Sequence, residues 1–436
     1  MEERNWNEWE KAPKRNKNKP FEICLLAAAN KRGFLKVLAV MAGLLFLSGL
    51  GGPGAKAADT SEPIKIGVLQ SLSGALAPMG PMGVNGAKLA AEGAKVLGRP
   101  VQLVVEDDRT DPKAGAQQAR KLIDVDKVVA IEGMVGSAVG IAVSMVGAEA
   151  KIPTILAGPS ASELTGSKCQ RSTFRVKPAV RPMVNSIAPY VIDHIGKKWY
   201  FIAYDYSWGQ EGVKFATEIL IQKGGQVLGT DMVPINTQDY SSYLLKVRSA
   251  KPDVLFFVLG GNDAAALIKQ FSEFALRDIT LSGAVMDTAV AWQVGDALTG
   301  IYPVPFYHKA PGAEDFVKRY MDRYNSAPDN QAWQDYISVK SLVAAINKAG
   351  STEYSKVVKA LEGLKMNIAK DRDGWFRDFD HQLMQTIYVI KAKTDRKTMT
   401  DKWDWGDIVF QAPPKEAPLD SIFGTPSQVG CNMPGY

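Results

Sequence analysis

The chain has 436 residues, 46% of them apolar and 22% charged, with 39 Gly, 24 Pro and three Cys. At roughly 100–200 residues per domain this length allows two or three domains, and the composition excludes a disordered, collagenous or coiled-coil chain. The formal charge of +6 would suit a nucleic-acid partner, but residues 1–57 alone carry ten Lys and Arg against five Asp and Glu. The remaining 42 basic and 41 acidic side chains leave no footprint for a phosphate backbone, so no nucleic-acid partner is expected.

Residues 30–36 are basic, residues 37–50 apolar and residues 51–54 rich in Gly, and Ala55-Lys56-Ala57 follows. That order predicts a secretory signal peptide over residues 1–57, cut after Ala57. Lys31-Arg32-Gly33-Phe34-Leu35-Lys36 resembles a twin-arginine signal with Lys in place of the first Arg. Sec and twin-arginine export both stay open, and the mature protein is expected in the periplasm. The apolar run is short of the roughly 20 residues a spanning helix needs. Residues 49–54 fit G-x-G-x-x-G, but no strand and helix flank them, so they are no dinucleotide site. With Cys24 in the leader, Cys169 and Cys431 form an even pair in an oxidising compartment. A disulfide between them, pinning a tail rich in Pro and Gly, is expected over two isolated thiols.

Strands are predicted at 64–70, 101–106, 128–132 and 152–157, separated by helices near 83–96, from Pro112, and at 138–148. The pattern then restarts, with strands at 199–204, 226–233, 253–259 and 280–283 and helices at 209–223, 241–249 and 264–274. Helices at about 312–325, 332–349 and 353–363 and a late strand at 385–391 complete it. Short apolar strands alternating with helices indicate parallel sheets covered on both faces. Two such units predict two lobes, with ligands beyond the carboxyl ends of the strands.

Groups for catalysis are sparse. The three His residues, His194, His308 and His381, have no metal-ligand spacing, and no G-x-S-x-G elbow, P-loop or Cys-His arrangement occurs. No enzymatic activity, cofactor or metal is expected. Asp107-Asp108 closes a strand, but Arg109 follows, and a structural salt bridge is the simpler reading. The strand ends carry more information: Ser71-Leu72-Ser73-Gly74, then Gly133 to Ser137, then Gly158-Pro159-Ser160-Ala161-Ser162-Glu163. Taken singly each is an N-cap. Three at one end of a sheet predict a small anion site, built from free N–H groups, Ser hydroxyls and helix dipoles.

The order and spacing of these motifs resemble the periplasmic binding proteins of branched-chain amino acid ABC transporters, the leucine/isoleucine/valine-binding family. Ile64-Lys65-Ile66-Gly67-Val68 with Leu72-Ser73-Gly74 carries the resemblance first. Asp107-Asp108 with Pro112 and Ala114, then Ala119, Leu122 and Ile123, and Gly136-Ser137 follow. Further on come residues 158–165 with Glu163-Leu164-Thr165, Phe174-Arg175, and Tyr204-Asp205-Tyr206-Ser207-Trp208-Gly209. Asp239-Tyr240-Ser241-Ser242 before Lys251-Pro252-Asp253 completes the set.

The resemblance covers nearly all of the mature chain and implies an α/β fold of two Rossmann-like lobes, the type I periplasmic binding fold. A three-strand hinge, with crossings near 177–179, 302–306 and 368–376, joins them around a ligand cleft. Lobe 1 is expected at 58–178 plus 306–370, and lobe 2 at 179–305 plus 371–436. It implies that Ser137, Gly158 and Ser160 hold a ligand carboxylate, that Trp208 covers the ligand, and that Met79 contacts it. Two positions depart from the pattern. Gly260 stands where a second-lobe aromatic is common, and the Glu that takes an α-ammonium aligns near Val285-Met286, leaving Asp287 the nearest acid and Asp263 a weaker alternative. Without a reaching acid, carboxylates lacking an amine are favoured. The expected function is capture of an amino acid or another small carboxylate by a monomer and delivery to an ABC permease. A periplasmic sensor of the same fold and a secreted α/β enzyme are the rival readings.

Overall fold

The computed structural model describes residues 62–433; the expected leader, its cut after Ala57 and Cys24 lie outside them. The first half runs β1 (Ile64–Gln70), α1 (Gly80–Ala91), β2 (Lys95–Val96), β3 (Arg99–Asp107), α2 (Pro112–Asp124), β4 (Ala130–Gly133), α3 (Ser137–Glu149), β5 (Thr154–Leu156) and β6 (Thr173–Arg175). These strands form one sheet in the order β2-β3-β1-β4-β5-β6, parallel except for the β2–β3 hairpin. In β1, Val68 packs with Val84, Ala87 and Val339 on one face, while Leu69 packs with Ala119, Leu122, Val139 and Val143 on the other. Cover on both faces explains why residues 66–69 of β1 carry no polar side chain.

The second half continues with α4 (Val180–His194), β7 (Lys198–Tyr204), α5 (Ser207–Gln222), β8 (Gln226–Val233), α6 (Ser241–Ala250), β9 (Val254–Val258), α7 (Gly261–Glu273), β10 (Thr280–Gly283), α8 (Thr288–Val294) and β11 (Ile301–Val304). Then come α9 (Glu314–Tyr324), α10 (Asn330–Ala349), α11 (Tyr354–Leu361), β12 (Lys365–Met366), β13 (Gly374–Phe376), β14 (Leu383–Met384), β15 (Ile387–Ala392), β16 (Gly406–Ala412) and α12 (Pro426–Val429). The second sheet has the order β16-β15-β11-β10-β9-β7-β8. Its β15 and β16 are antiparallel additions to a parallel core. Helices α9 and α10 return to pack on α1 of the first lobe. The chain therefore passes between lobes three times: before α4, after β11 and before β15. A small antiparallel sheet, β12-β13-β14, lies along the last passage.

Several expectations change. The helix expected at 83–96 ends at Ala91, because Gly93, Leu97 and Gly98 take positive φ values and turn the chain into the β2–β3 hairpin. Helix α4 lies outside the predicted elements; its Pro182 sits in the first turn, where the missing N–H costs nothing, and Pro189 lies inside the helix. The expected bond between Cys169 and Cys431 is present, with Cα atoms 5.7 Å apart.

Candidate ligand-binding site

A cavity of about 450 Å³ lies where the carboxyl ends of β1, β4 and β5 face those of β7, β9 and β10. In both sheets the strand order reverses there, between the parallel neighbours β1 and β4 and between β7 and β9, the place where open α/β sheets bind ligands. The volume suits a small organic molecule.

The lobe 1 wall is a set of backbone donors. Ser137 opens α3, and its Oγ accepts from the N–H groups of Ser160 and Ala161 at 3.2 and 3.1 Å. This bond ties the loop after β4 to the loop after β5. The first-turn N–H groups of α3 and the helix dipole point the same way, an arrangement that favours a carboxylate without a cation. Gly158 lies between them and admits no side chain: a Cβ there would stand 2.5 Å from Gln331 Oε1 and 2.8 Å from Met134 O. Gln331 in turn donates to Met134 O and to Asp335 Oδ2. Asp335 also accepts from Gln70, and burial together with Asp335 pushes the carboxyl of Glu132 well up. The donor loops thus rest on a buried, proton-holding network.

The lobe 2 wall is aromatic. Tyr204, at the end of β7, has its ring centroid 5.3 Å from Tyr206 and 6.2 Å from Trp208, and Trp208 is buried in the first turn of α5. Burial pushes both tyrosine hydroxyls up, keeping them neutral donors. Tyr204 donates to Gly260 O at 3.0 Å. Gly260 itself leaves an opening, since a Cβ there would find only Asp287 Oδ2, at 3.9 Å.

The ionisable side chains on the described lining, tyrosines aside, are Lys177, Asp263 and Asp287. Asp263 accepts from Asn236 N–H at 2.7 Å, and burial raises its pKa. Asp287, just before α8, is met by Lys177 Nζ at 3.4 Å, with both side chains about nine-tenths buried. Lys177 sits on the first passage between lobes, its N–H donating to Ala157 O at 3.1 Å.

Residues 63–397 match the sequence profile of the periplasmic binding protein family. The chain belongs to that family. The Leu/Ile/Val-binding protein homolog 7 of Brucella suis is 29% identical over 352 residues, covering 75% of this chain and 87% of that relative. Among solved structures, a periplasmic binding protein from Burkholderia mallei superposes with a TM-score of 0.77 at 25% identity, over 85% of this chain and 98% of the other. A branched chain amino acid ABC transporter periplasmic ligand-binding protein from Burkholderia xenovorans gives 0.76 at 25% identity, over 84% and 99%.

In this periplasmic binding protein, Met79, Ser137, Gly158, Ser160, Trp208, Gly260 and Asp287 all line the one cavity. The three Gly/Ser loops do not all deliver hydroxyls to it. Ser71 and Ser73 are spent on Asp108 and Asp107, at 2.7 and 2.6 Å, and the loop after β1 offers Ala75, Leu76 and Met79 instead. Asp107 forms no ion pair with Arg109 among the described residues: it collects the N–H groups of Leu72, Ser73 and Arg109 and so shapes that loop. Tyr204 and Tyr206 have no role assigned from the sequence, and the run of aromatics two apart at 204, 206 and 208 is the available signal. Lys177 carried no signal in the sequence at all.

Proposed function

We propose that this periplasmic binding protein is the extracytoplasmic solute-binding component of a branched-chain amino acid-type ABC transporter. It captures a small carboxylate-bearing ligand by closing its lobes and delivers it to a membrane permease. The observation that carries this reading is the pairing of the two walls: backbone donors and Ser137 on lobe 1 face Tyr204, Tyr206 and Trp208 on lobe 2. A carboxylate seated on the first wall places its apolar body against the second.

In this reading lobe 1 is 58–178 plus 306–370, lobe 2 is 179–305 plus 371–436, and the three passages between them act as the hinge. Ser137, Gly158 and Ser160 take the carboxylate, Trp208 covers the ligand and Met79 packs against it. The protein acts as a monomer after removal of residues 1–57 in the periplasm. The cavity's described lining has no His or Cys, and its two carboxylates already meet Asn236 and Lys177, which supports capture over turnover.

Thermal unfolding of the purified protein against amino acids, aromatic and aliphatic carboxylates and their amides tests the reading. A ligand at 100 times its Kd stabilises the native state by about 2.7 kcal/mol. A raised midpoint with at least one carboxylate and none with its amide is expected. No shift across the panel, or consumption of a bound compound, would remove the proposed role.

A further inference from the structure

The pair formed by Lys177 and Asp287 bears on which carboxylate the cleft takes. Asp287 is one of two carboxylates on the described lining of the cavity, and the structure already gives it a cation. Lys177 Nζ and Asp287 Oδ1 are 3.4 Å apart, with side chains only 10% and 11% exposed. Lys177 is anchored at the hinge by its own N–H on Ala157 O and by Gln382 Nε2 on its carbonyl, at 3.3 Å. Asp287 belongs to the other lobe, so the pair bridges the cleft.

We propose that Lys177 determines the specificity of the cleft: its ammonium fills, against Asp287, the place a ligand's α-ammonium would take, so that the ligand is a carboxylate without an α-amino group. The physical argument has two parts. An incoming ammonium near Asp287 meets a like charge at a largely buried pair, which is unfavourable. If it displaces Lys177 instead, a lysine held at the hinge loses its ion pair with Asp287 while still buried, a costly outcome. Among the described residues no other ion pair of Lys177 is found within 4.0 Å.

This inference rests on the cleft being the ligand site, and the test separates the two. Isothermal titration would compare matched acids that differ only in the amine: 4-methylpentanoate against leucine, and 3-phenylpropanoate against phenylalanine. In the wild-type protein the amine-free member of at least one pair should bind about tenfold or more tightly than its partner, the scale of one charge-assisted hydrogen bond. Lys177→Met should shift that ratio by about tenfold or more toward the amino acid, and adding Asp287→Asn should cancel the shift. Tighter binding of the amino acids by wild type would overturn the inference and leave the proposed function standing. So would a ratio that Lys177→Met does not move. If no member of either pair binds, the inference falls, while the proposed function is decided by the wider panel. The wild-type ratio stands as a test even if the variants fold poorly.

Discussion

Arg175 and Gln382 are separated by 207 positions and meet in the buried centre of the hinge, with Arg175 Nε donating to Gln382 Oε1 at 2.8 Å. The same guanidinium donates to Ala161 O at 2.6 Å and to Thr165 Oγ1. Gln382 completes the knot by donating to the carbonyls of Arg175 and Lys177. One side chain therefore joins two passages between the lobes to the loop whose N–H groups meet Ser137. Arg175→Met leaves three buried acceptors short of a donor and should destabilise the protein by about 2–4 kcal/mol. Urea unfolding measures this, and a wild-type midpoint would remove Arg175 from the support of the hinge.

Ser137 tests the anion wall with little structural cost. Its hydroxyl accepts from two N–H groups at the edge of an open cavity, where water can replace it. Ser137→Ala should weaken carboxylate binding about tenfold, on the scale of one charge-assisted hydrogen bond, and leave the unfolding midpoint nearly unchanged. Titration with the tightest carboxylate of the panel reads the first effect. Unaltered affinity would place the carboxylate elsewhere.

Buried acids set the response to pH. Burial pushes the carboxyls of Asp329 and Asp335 up to about 7, and burial together with Asp335 raises Glu132. In the unfolded chain these acids ionise near about 4. Between those values the native state holds more protons than the unfolded state, so stability falls as pH rises. Their contribution is fully present below the unfolded pKa and is lost by passage through about 7. The unfolding midpoint should be higher at pH 5.5 than at pH 8, and Asp335→Asn should flatten the difference. A midpoint that rises across this window would contradict the buried-acid account.

Gly260 predicts a change of ligand size. Its φ of −135° and ψ of 169° suit any L-residue, and the space beyond its Cβ position is open toward Asp287. Gly260→Phe should fold with a wild-type midpoint yet reduce affinity for 3-phenylpropanoate more than for acetate or propanoate. Equal affinities before and after substitution would show that the ligand does not reach this side of the cleft.

The parts of the fold that could be read from sequence are those with local causes. Short apolar strands ending in Gly and Ser marked both sheets, and Pro112 marked the start of α2, where the structure adds Asp111 accepting from Ala114 N–H at 2.7 Å. Helix α4 lies outside the predicted elements and carries Pro182 in its first turn and Pro189 within it. The Lys177–Asp287 pair joins residues 110 positions apart, and Lys177 follows an edge strand with nothing around it to suggest a partner. Likewise Ser71 and Ser73 had the composition of an anion loop, but only the folded structure shows Asp107 and Asp108 claiming their hydroxyls.

The central claim is that the cavity between the lobes receives a small carboxylate. Isothermal titration of the tightest carboxylate of the panel into wild type and into a Ser137→Ala, Trp208→Ala double variant tests it most directly. The account predicts saturable one-to-one binding to wild type and its loss in the double variant, with the fold of the variant intact by circular dichroism. Undiminished binding to that variant, or no carboxylate bound by wild type, would contradict it.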